Sequence, residues 1–372
     1  MAWDDIMAAG FRGIHFAKFF NAIAPVSHTA YAPIASIFKK TESLLFLVKW
    51  CKLYLDKHTL VGYSVYNILN LVEKYELREM QMGFNTELLH GTKTGDPHTG
   101  ATLTPVYQSS AFFQPSAEQH EKLFHNKANG YSYTRINNPT IAAFEERMTV
   151  LERGVASVAC ASGMAALTNA LLNIVGSGQE IIASTSLYGG TIDLFHDLEA
   201  FGIKTIFVDG GDFSLVEKAI TDDTRAIFAE TIGNPKLDVT DIEAWAKLAH
   251  EHGLPLVIDN TVATAFLVKP IRLGADIVIN STSKYINGNS SAISGVITDS
   301  GNFKWNVQQY PGMKDYIKFG RFAFTAKLRN GLFRNMGACM APQTAFYNLL
   351  GLETLGLRME RACDNAAQLA AY

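Results

Sequence analysis

The chain has no cysteine framework, no long apolar run and no excess charge of either sign. Its four cysteines, Cys51, Cys160, Cys339 and Cys363, stand far apart without C-x-x-C spacing. Scattered thiols argue against a disulfide scaffold and suit a reducing compartment, so a cytoplasmic location is expected. His250 and His252 lie two apart in "AHEHGLP" without cysteine partners. They read as the end of a helix, not as zinc ligands. A net charge of −3 makes no electrostatic case for a nucleic-acid partner. No Walker pattern occurs, and "GSGQEI" at 176–181 breaks G-x-G-x-x-G at its last position and leads into a strand. That failure disfavours a nicotinamide dehydrogenase. Internal repeats and low-complexity linkers are also lacking.

The first eighty residues differ from the rest, being rich in Phe, Leu, Tyr and Lys at helix-like spacing. Asp4 and Asp5 occupy the place of a positive leader region, which argues against a secretion signal. Lys49, Lys52, Asp56 and Lys57 break the second apolar stretch, leaving no run of about 18 apolar residues to span a membrane. "FLVKWCKLYL" could lie on a membrane surface, but an ordinary amphipathic or incidental helix is the preferred reading. Residues 1–80 are therefore set apart as an N-terminal extension of unassigned role, with no membrane partner expected.

What is present begins at residue 81. The 372 residues are 48% hydrophobic, enough for a large core. Short apolar runs recur as "VASVAC", "QEIIAS", "KTIFVD", "RAIFAE", "LPLVID" and "ADIVIN". Helix-patterned stretches lie between several of them, including "MAALTNALLNIV", "GTIDLFHDLEAFG" and "TDIEAWAKLAHEHG". This alternation predicts an α/β layer with a mostly parallel sheet flanked by helices. Such sheets bind ligands beyond the C-terminal ends of their strands, so the residues directly after each run carry the interest.

After "VASVAC" come Ala161, Ser162, Gly163 and Met164, a small-residue turn into a helix whose free N–H groups suit a phosphate. After "LPLVI" comes Asp259, and after "ADIVI" come Ser281, Thr282, Ser283 and Lys284. Each has a bland reading as a turn or cap. Together they supply a lysine for a Schiff base, an acid for a pyridinium nitrogen and an anion site, the parts of a pyridoxal phosphate site. Tyr188 in "SLYGGT" can cover a flat ring. Glu230 and Asn234 in "AETIGNPKL" are placed to meet a ring hydroxyl. Tyr133 and Arg135 in "YSYTRINNPT" offer a phosphate clamp, and Asn138 with Pro139 reads as a helix start.

The segments "YTRINNPT", "ASGMAA", "YGGT", "ETIGNP", "IDNT" and "STSK" resemble, in order and spacing, the motifs of the Cys/Met-metabolism family of pyridoxal phosphate enzymes, from about Met82 onward. "YGGTIDLF", "ITDSGNFKW" and "GLETLGLRMER" are most similar to its O-acetylhomoserine sulfhydrylase branch. Gly190 stands where methionine γ-lyases carry a cysteine.

The resemblance implies a PLP-dependent transferase of fold type I, aspartate aminotransferase-like. It divides the chain into an arm at 81–138, a cofactor-binding large domain at 139–345 and the start of a truncated C-terminal domain at 346–372. The implied cofactor is pyridoxal 5′-phosphate. Lys284, Asp259 and Tyr188 would be catalytic. Ser162, Gly163, Met164, Ser281, Ser283, Asn234, Tyr133 and Arg135 would complete the cofactor site, the last two reaching the phosphate of a neighbouring subunit in a dimer of dimers with shared active sites. The implied reaction is replacement of acetate in O-acetylhomoserine by sulfide, giving homocysteine in the trans-sulfuration steps of methionine biosynthesis.

The alternatives are cystathionine γ-synthase, a γ-lyase of the same family, or a non-catalytic cofactor-binding fragment. The last arises because the family's substrate-binding arginine is expected beyond Tyr372. Two local departures from the family pattern also stand out. Asn289 and Ser290 replace the His and second Gly of a "GHG" stretch, and Ala265 replaces a proline.

Overall fold

A computed structural model describes residues 83–372 except 93–95, 97 and 126. The expectations for the first eighty residues lie outside the described residues. Met82–Tyr372 forms one compact unit. Its centre is a seven-stranded sheet built from β1 (Ala156–Cys160), β2 (Glu180–Ser184), β3 (Lys204–Val208), β4 (Thr224–Glu230), β5 (Leu256–Asp259), β6 (Ile277–Asn280) and β7 (Gly295–Asp299). The spatial order is β1-β7-β6-β5-β4-β2-β3. All neighbouring pairs are parallel except those of β7, which runs antiparallel to both β1 and β6.

Six of the seven strands are the apolar runs read from the sequence. The seventh, "GVITD", has only two apolar residues, Val296 and Ile297, flanked by glycine and polar residues, too weak a pattern to stand out by itself. Its place in the sheet rests on both neighbours: Val296, Ile297 and Thr298 pair with β1 on one side and β6 on the other.

Successive strand residues point to opposite faces, and here the two faces feed different cores. Ile181, Ala183, Phe228, Val257, Ile277 and Ile279 join one cluster with Leu167, Leu171 and Phe195. Ile182, Ile227, Ile258 and Val278 join another with Trp245, Ala246 and Ala249. Strands buried on both faces read as continuous apolar runs, which is why "LPLVID" and "ADIVIN" are legible. A third cluster packs Phe144, Met148 and Leu151 of the helix Pro139–Glu152 against Leu349, Leu352, Leu355 and Met359 near the end of the chain.

Local signals start the helices as expected. The Asn138 side chain accepts from Thr140 N at 2.9 Å ahead of Pro139, satisfying one free donor of the first turn. His250 closes the helix Ile242–Glu251, where it bonds Asp276 Oδ2 at 2.8 Å. That bond to a carboxylate raises the imidazole pKa.

Candidate active site

The parallel strands end together, and their last residues form one edge. Asp259 closes β5 and pairs in register with Glu230 of β4, while Asn280 ends β6 beside it. The adjacency of β5 and β6 puts Asp259 and the turn carrying Ser281, Ser283 and Lys284 on neighbouring strand ends.

The anion site is built from two approaches. Ser162 caps the helix Gly163–Leu172, its Oγ accepting from Ala165 N at 3.0 Å. The N–H groups of Gly163 and Met164 are left without intrahelical acceptors, as the first turn requires. Ser281 then closes on this terminus. A Cβ on Gly163 would lie 2.6 Å from Ser281 Cβ and 2.8 Å from its Oγ, so only glycine admits the contact. Ser281 Oγ and Ser283 Oγ are 2.9 Å apart. Gly295 performs a similar service for β7, where a Cβ would lie 2.3 Å from the Ser162 carbonyl oxygen. Two hydroxyls and a helix N-terminus therefore share one small space, a fitting cradle for a phosphate.

Asp259 is held by its own turn, Oδ1 accepting from Thr261 N at 2.9 Å. Thr261 Oγ1 in turn accepts from Ser281 N at 2.7 Å, coupling the acid's turn to the cradle. The side chain keeps partial access to solvent at the strand end, yet the surrounding protein desolvates the carboxyl and raises its pKa. A cationic ring nitrogen set against it would supply the charge that this desolvation leaves uncompensated. Glu230, desolvated and beside the Asp259 charge, is pushed up to about 7. Its oxygens are committed to backbone amides, Oε1 to Tyr188 N at 2.7 Å and Oε2 to Asn234 N at 3.3 Å. Glu230 thereby ties together the loops that carry Tyr188 and Asn234.

Tyr188 is half exposed at the head of the helix Gly189–Glu199. A Cβ on Gly190 would fall 2.6 Å from the Tyr188 ring, so glycine there leaves the ring its position. Lys284 is exposed on the turn after β6, and no acceptor among the described residues takes its ammonium. Tyr133 and Arg135 are exposed as well, with the Arg135 guanidinium over the Tyr133 ring at 5.4 Å and bonded to the Arg334 carbonyl. Neither bonds to the cradle of its own chain. Ser290, where the resemblance leads one to expect glycine, adopts φ 59°, a left-handed conformation that glycine takes without steric cost.

Glu152 escaped the sequence reading, because its partners come from other elements. It is fully buried at the end of its helix, and Oε1 accepts from Asn280 Nδ2 at 2.8 Å and from Asn260 Nδ2 at 3.2 Å. These asparagines adjoin Ser281 and Asp259, so one carboxyl braces both strand ends from beneath. Burial pushes its pKa from 4.5 to about 7. The native state therefore holds this proton more tightly than the unfolded chain does. The contribution to stability is complete below about pH 4.5 and is lost as pH rises through about 7. Glu152→Gln keeps an acceptor for both amides but cannot ionise. In calorimetry its melting temperature should gain on wild type between pH 4.5 and 7, and a constant difference would refute the assignment. Glu152→Ala strands two buried donors and should cost about 2–6 kcal/mol, at about 1–3 kcal/mol for each unsatisfied group.

The residues on this edge fit pyridoxal phosphate: a phosphate cradle, a desolvated acid, an aromatic ring and an uncommitted amine. Comparison with known proteins leads to the same group. The profile of the Cys/Met metabolism PLP-dependent enzymes matches residues 85–372. The chain is 43% identical over 306 residues to an O-acetyl-L-homoserine sulfhydrylase of Leptospira meyeri, covering 77% of this chain and 69% of the relative. A crystal structure from Campylobacter jejuni, described as an O-acetylhomoserine (thiol)-lyase and bearing N'-pyridoxyl-lysine-5'-monophosphate, superposes with a TM-score of 0.74 at 33% identity, over 78% of this chain and 75% of that one. A cystathionine γ-lyase from Lactobacillus plantarum complexed with L-serine gives a TM-score of 0.68 at 38% identity, over 78% and 68% of the two chains. The chain belongs to the Cys/Met-metabolism family of pyridoxal 5′-phosphate-dependent enzymes and has their fold type I architecture.

Proposed function

We propose that this enzyme catalyses γ-replacement, converting O-acetylhomoserine and sulfide to homocysteine and acetate. The observation that carries the reading is the convergence of Lys284, Asp259 and the Gly163–Ser281 cradle on one edge of the sheet. The choice of reaction within the family is supported by the likeness to sulfhydrylases and by Gly190 beneath the Tyr188 ring.

In this reading Ser162, Gly163, Met164, Ser281 and Ser283 bind the phosphate. Lys284 would hold the cofactor through its amine, and the same amine, when free, would move the proton at the substrate Cα. Asp259 would face the ring nitrogen and keep it protonated, Tyr188 would cover the ring, and Asn234 would meet its hydroxyl. When bound, the cofactor supplies the ring that accepts the electron pair freed at Cα. Acetate then leaves the γ-carbon and sulfide takes its place.

The large domain is assigned to 139–345, the arm to 81–138 and the start of a C-terminal domain to 346–372. Tyr133 and Arg135, exposed and without a bond to their own cradle, are assigned to the phosphate of a second copy, in a dimer of dimers with shared sites in the cytoplasm. Among the described residues no helix is long and apolar enough to cross a membrane.

A second reading, γ-elimination, is favoured by the likeness to the cystathionine γ-lyase. Purified protein supplied with pyridoxal 5′-phosphate, O-acetylhomoserine and sulfide should form homocysteine and acetate in equal amounts. With cystathionine alone it should release little 2-oxo acid. Faster oxo-acid release from cystathionine than homocysteine formation would replace the first reading by the second.

A further inference from the structure

We infer that Arg358 is the positioning residue for Lys284, holding the loop behind the lysine so that its amine is presented to the cofactor carbonyl. This rests on the reading of Lys284 as the cofactor-binding lysine. Arg358 lies in the first turn of the helix Leu355–Ala371, remote in sequence from the lysine. Its Nη1 donates to the Tyr285 carbonyl at 2.6 Å, and Nη2 reaches the Ile286 carbonyl at 3.5 Å and the Gly351 carbonyl at 2.8 Å. Nε donates to Thr354 Oγ1 at 3.1 Å. The acceptors include the two residues directly after Lys284, and all of them are neutral. A planar fork with donors fixed in direction can bind three carbonyls at once; a lysine ammonium on a flexible stem cannot reproduce that geometry.

The packing of glycines around the fork points the same way. Gly288 has φ 76°, and a Cβ there would lie 2.4 Å from Arg358 Cζ and Nη1, so the loop folds directly over the guanidinium. A Cβ on Gly351 would lie 2.4 Å from the carbonyl oxygens of Ile286 and Asn287, so the loop also lies flat on the preceding helix. Gly288 N donates to the Lys284 carbonyl at 2.8 Å and closes the turn.

On the other side of the lysine, buried Thr282 is fixed by Ser294 at 2.7 Å and by Asn348 Nδ2 at 3.3 Å. Lys284 is thus exposed between two anchors, Thr282 before it and the Arg358 contacts with the Tyr285 and Ile286 carbonyls after it. Loss of Arg358 frees only the second anchor. The phosphate cradle and Asp259 use none of its bonds.

The test separates covalent capture from binding. Pyridoxine 5′-phosphate has the ring and phosphate of the cofactor but no aldehyde, so it reports the cradle without Lys284. In the full chain, Arg358→Ala should bind this analogue within about twofold of wild type by calorimetry. It should capture pyridoxal 5′-phosphate at least tenfold more slowly, judged by the visible absorbance and by the borohydride-fixed label on the Lys284 peptide. Arg358→Lys should fall between the two. Gly288→Ala, which displaces the guanidinium without deleting it, should also slow capture selectively, and it decides the matter if Arg358→Ala does not fold. Wild-type capture rates in the variants overturn the inference while leaving Lys284 in its role. An equal loss of analogue and aldehyde binding overturns it too, since Arg358 would then be a general structural support. Labelling of wild type on another lysine overturns the underlying reading instead.

Discussion

Lys284→Ala should abolish covalent capture of pyridoxal 5′-phosphate and lower turnover by about 10⁴-fold, the upper end of what a positioned proton-transferring side chain contributes. On the role proposed for Lys284, removal of the amine would leave no nucleophile for the cofactor carbonyl and no base for the Cα proton. The cradle should survive, because Ser281 N remains held by Thr261 and the Gly163–Ser281 contact involves neither the lysine nor its turn carbonyl. The variant should therefore still bind pyridoxine 5′-phosphate while failing to retain label after borohydride. Peptide mapping of the reduced wild type gives the complementary result, with one labelled peptide containing Lys284. Label on a different lysine, or turnover by Lys284→Ala near the wild-type rate, would remove Lys284 from the centre of the site.

The second large effect concerns Asp259. Asp259→Ala should retain cofactor through the cradle and Lys284, yet slow proton removal at Cα by about two to four orders of magnitude. An unprotonated pyridine accepts electrons poorly, and in the proposed role Asp259 would keep the proton on the ring nitrogen. Exchange of the substrate Cα hydrogen with solvent, followed by NMR, measures this step without waiting for product. The substitution should also lower the pKa of Glu230, because the Asp259 charge is one of the causes that raise it. Glu230 would then still hold the amides of Tyr188 and Asn234, so the loops should keep their places. Exchange at the wild-type rate would reduce Asp259 to a turn-forming residue that accepts from Thr261 N.

What could be read from the residues followed the range of the forces involved. Asn138 and Ser162 are legible as helix starts because each satisfies a donor two or three residues ahead. The runs ending at Asp259 and Asn280 are legible because a strand buried on both faces must be apolar throughout. β7 was hidden because "GVITD" carries a weak apolar pattern and is held between β6, the strand before it, and β1, which lies far back in the sequence. Glu230 was visible at a strand end, but its task was not: its partners, Tyr188 N and Asn234 N, belong to two separate loops. Glu152 and Arg358 gave no signal at all, since a carboxyl at a helix end and an arginine on a helix look like ordinary solvated charges.

By itself, then, the sequence determined the alternation of strand and helix, the order of the six motifs and the chemical identity of the groups at the strand ends. These depend on local hydrogen bonding and on the burial demanded of each segment. Only the tertiary structure decided that β5 and β6 are neighbours, that Gly163 meets Ser281, and that Glu152 and Arg358 brace the turns bearing Asp259, Ser281 and Lys284. Those contacts join residues up to 128 positions apart, as between Glu152 and Asn280. Their free energy exists only once the chain has collapsed, excluded water from both faces of the sheet and brought the strand ends into one plane.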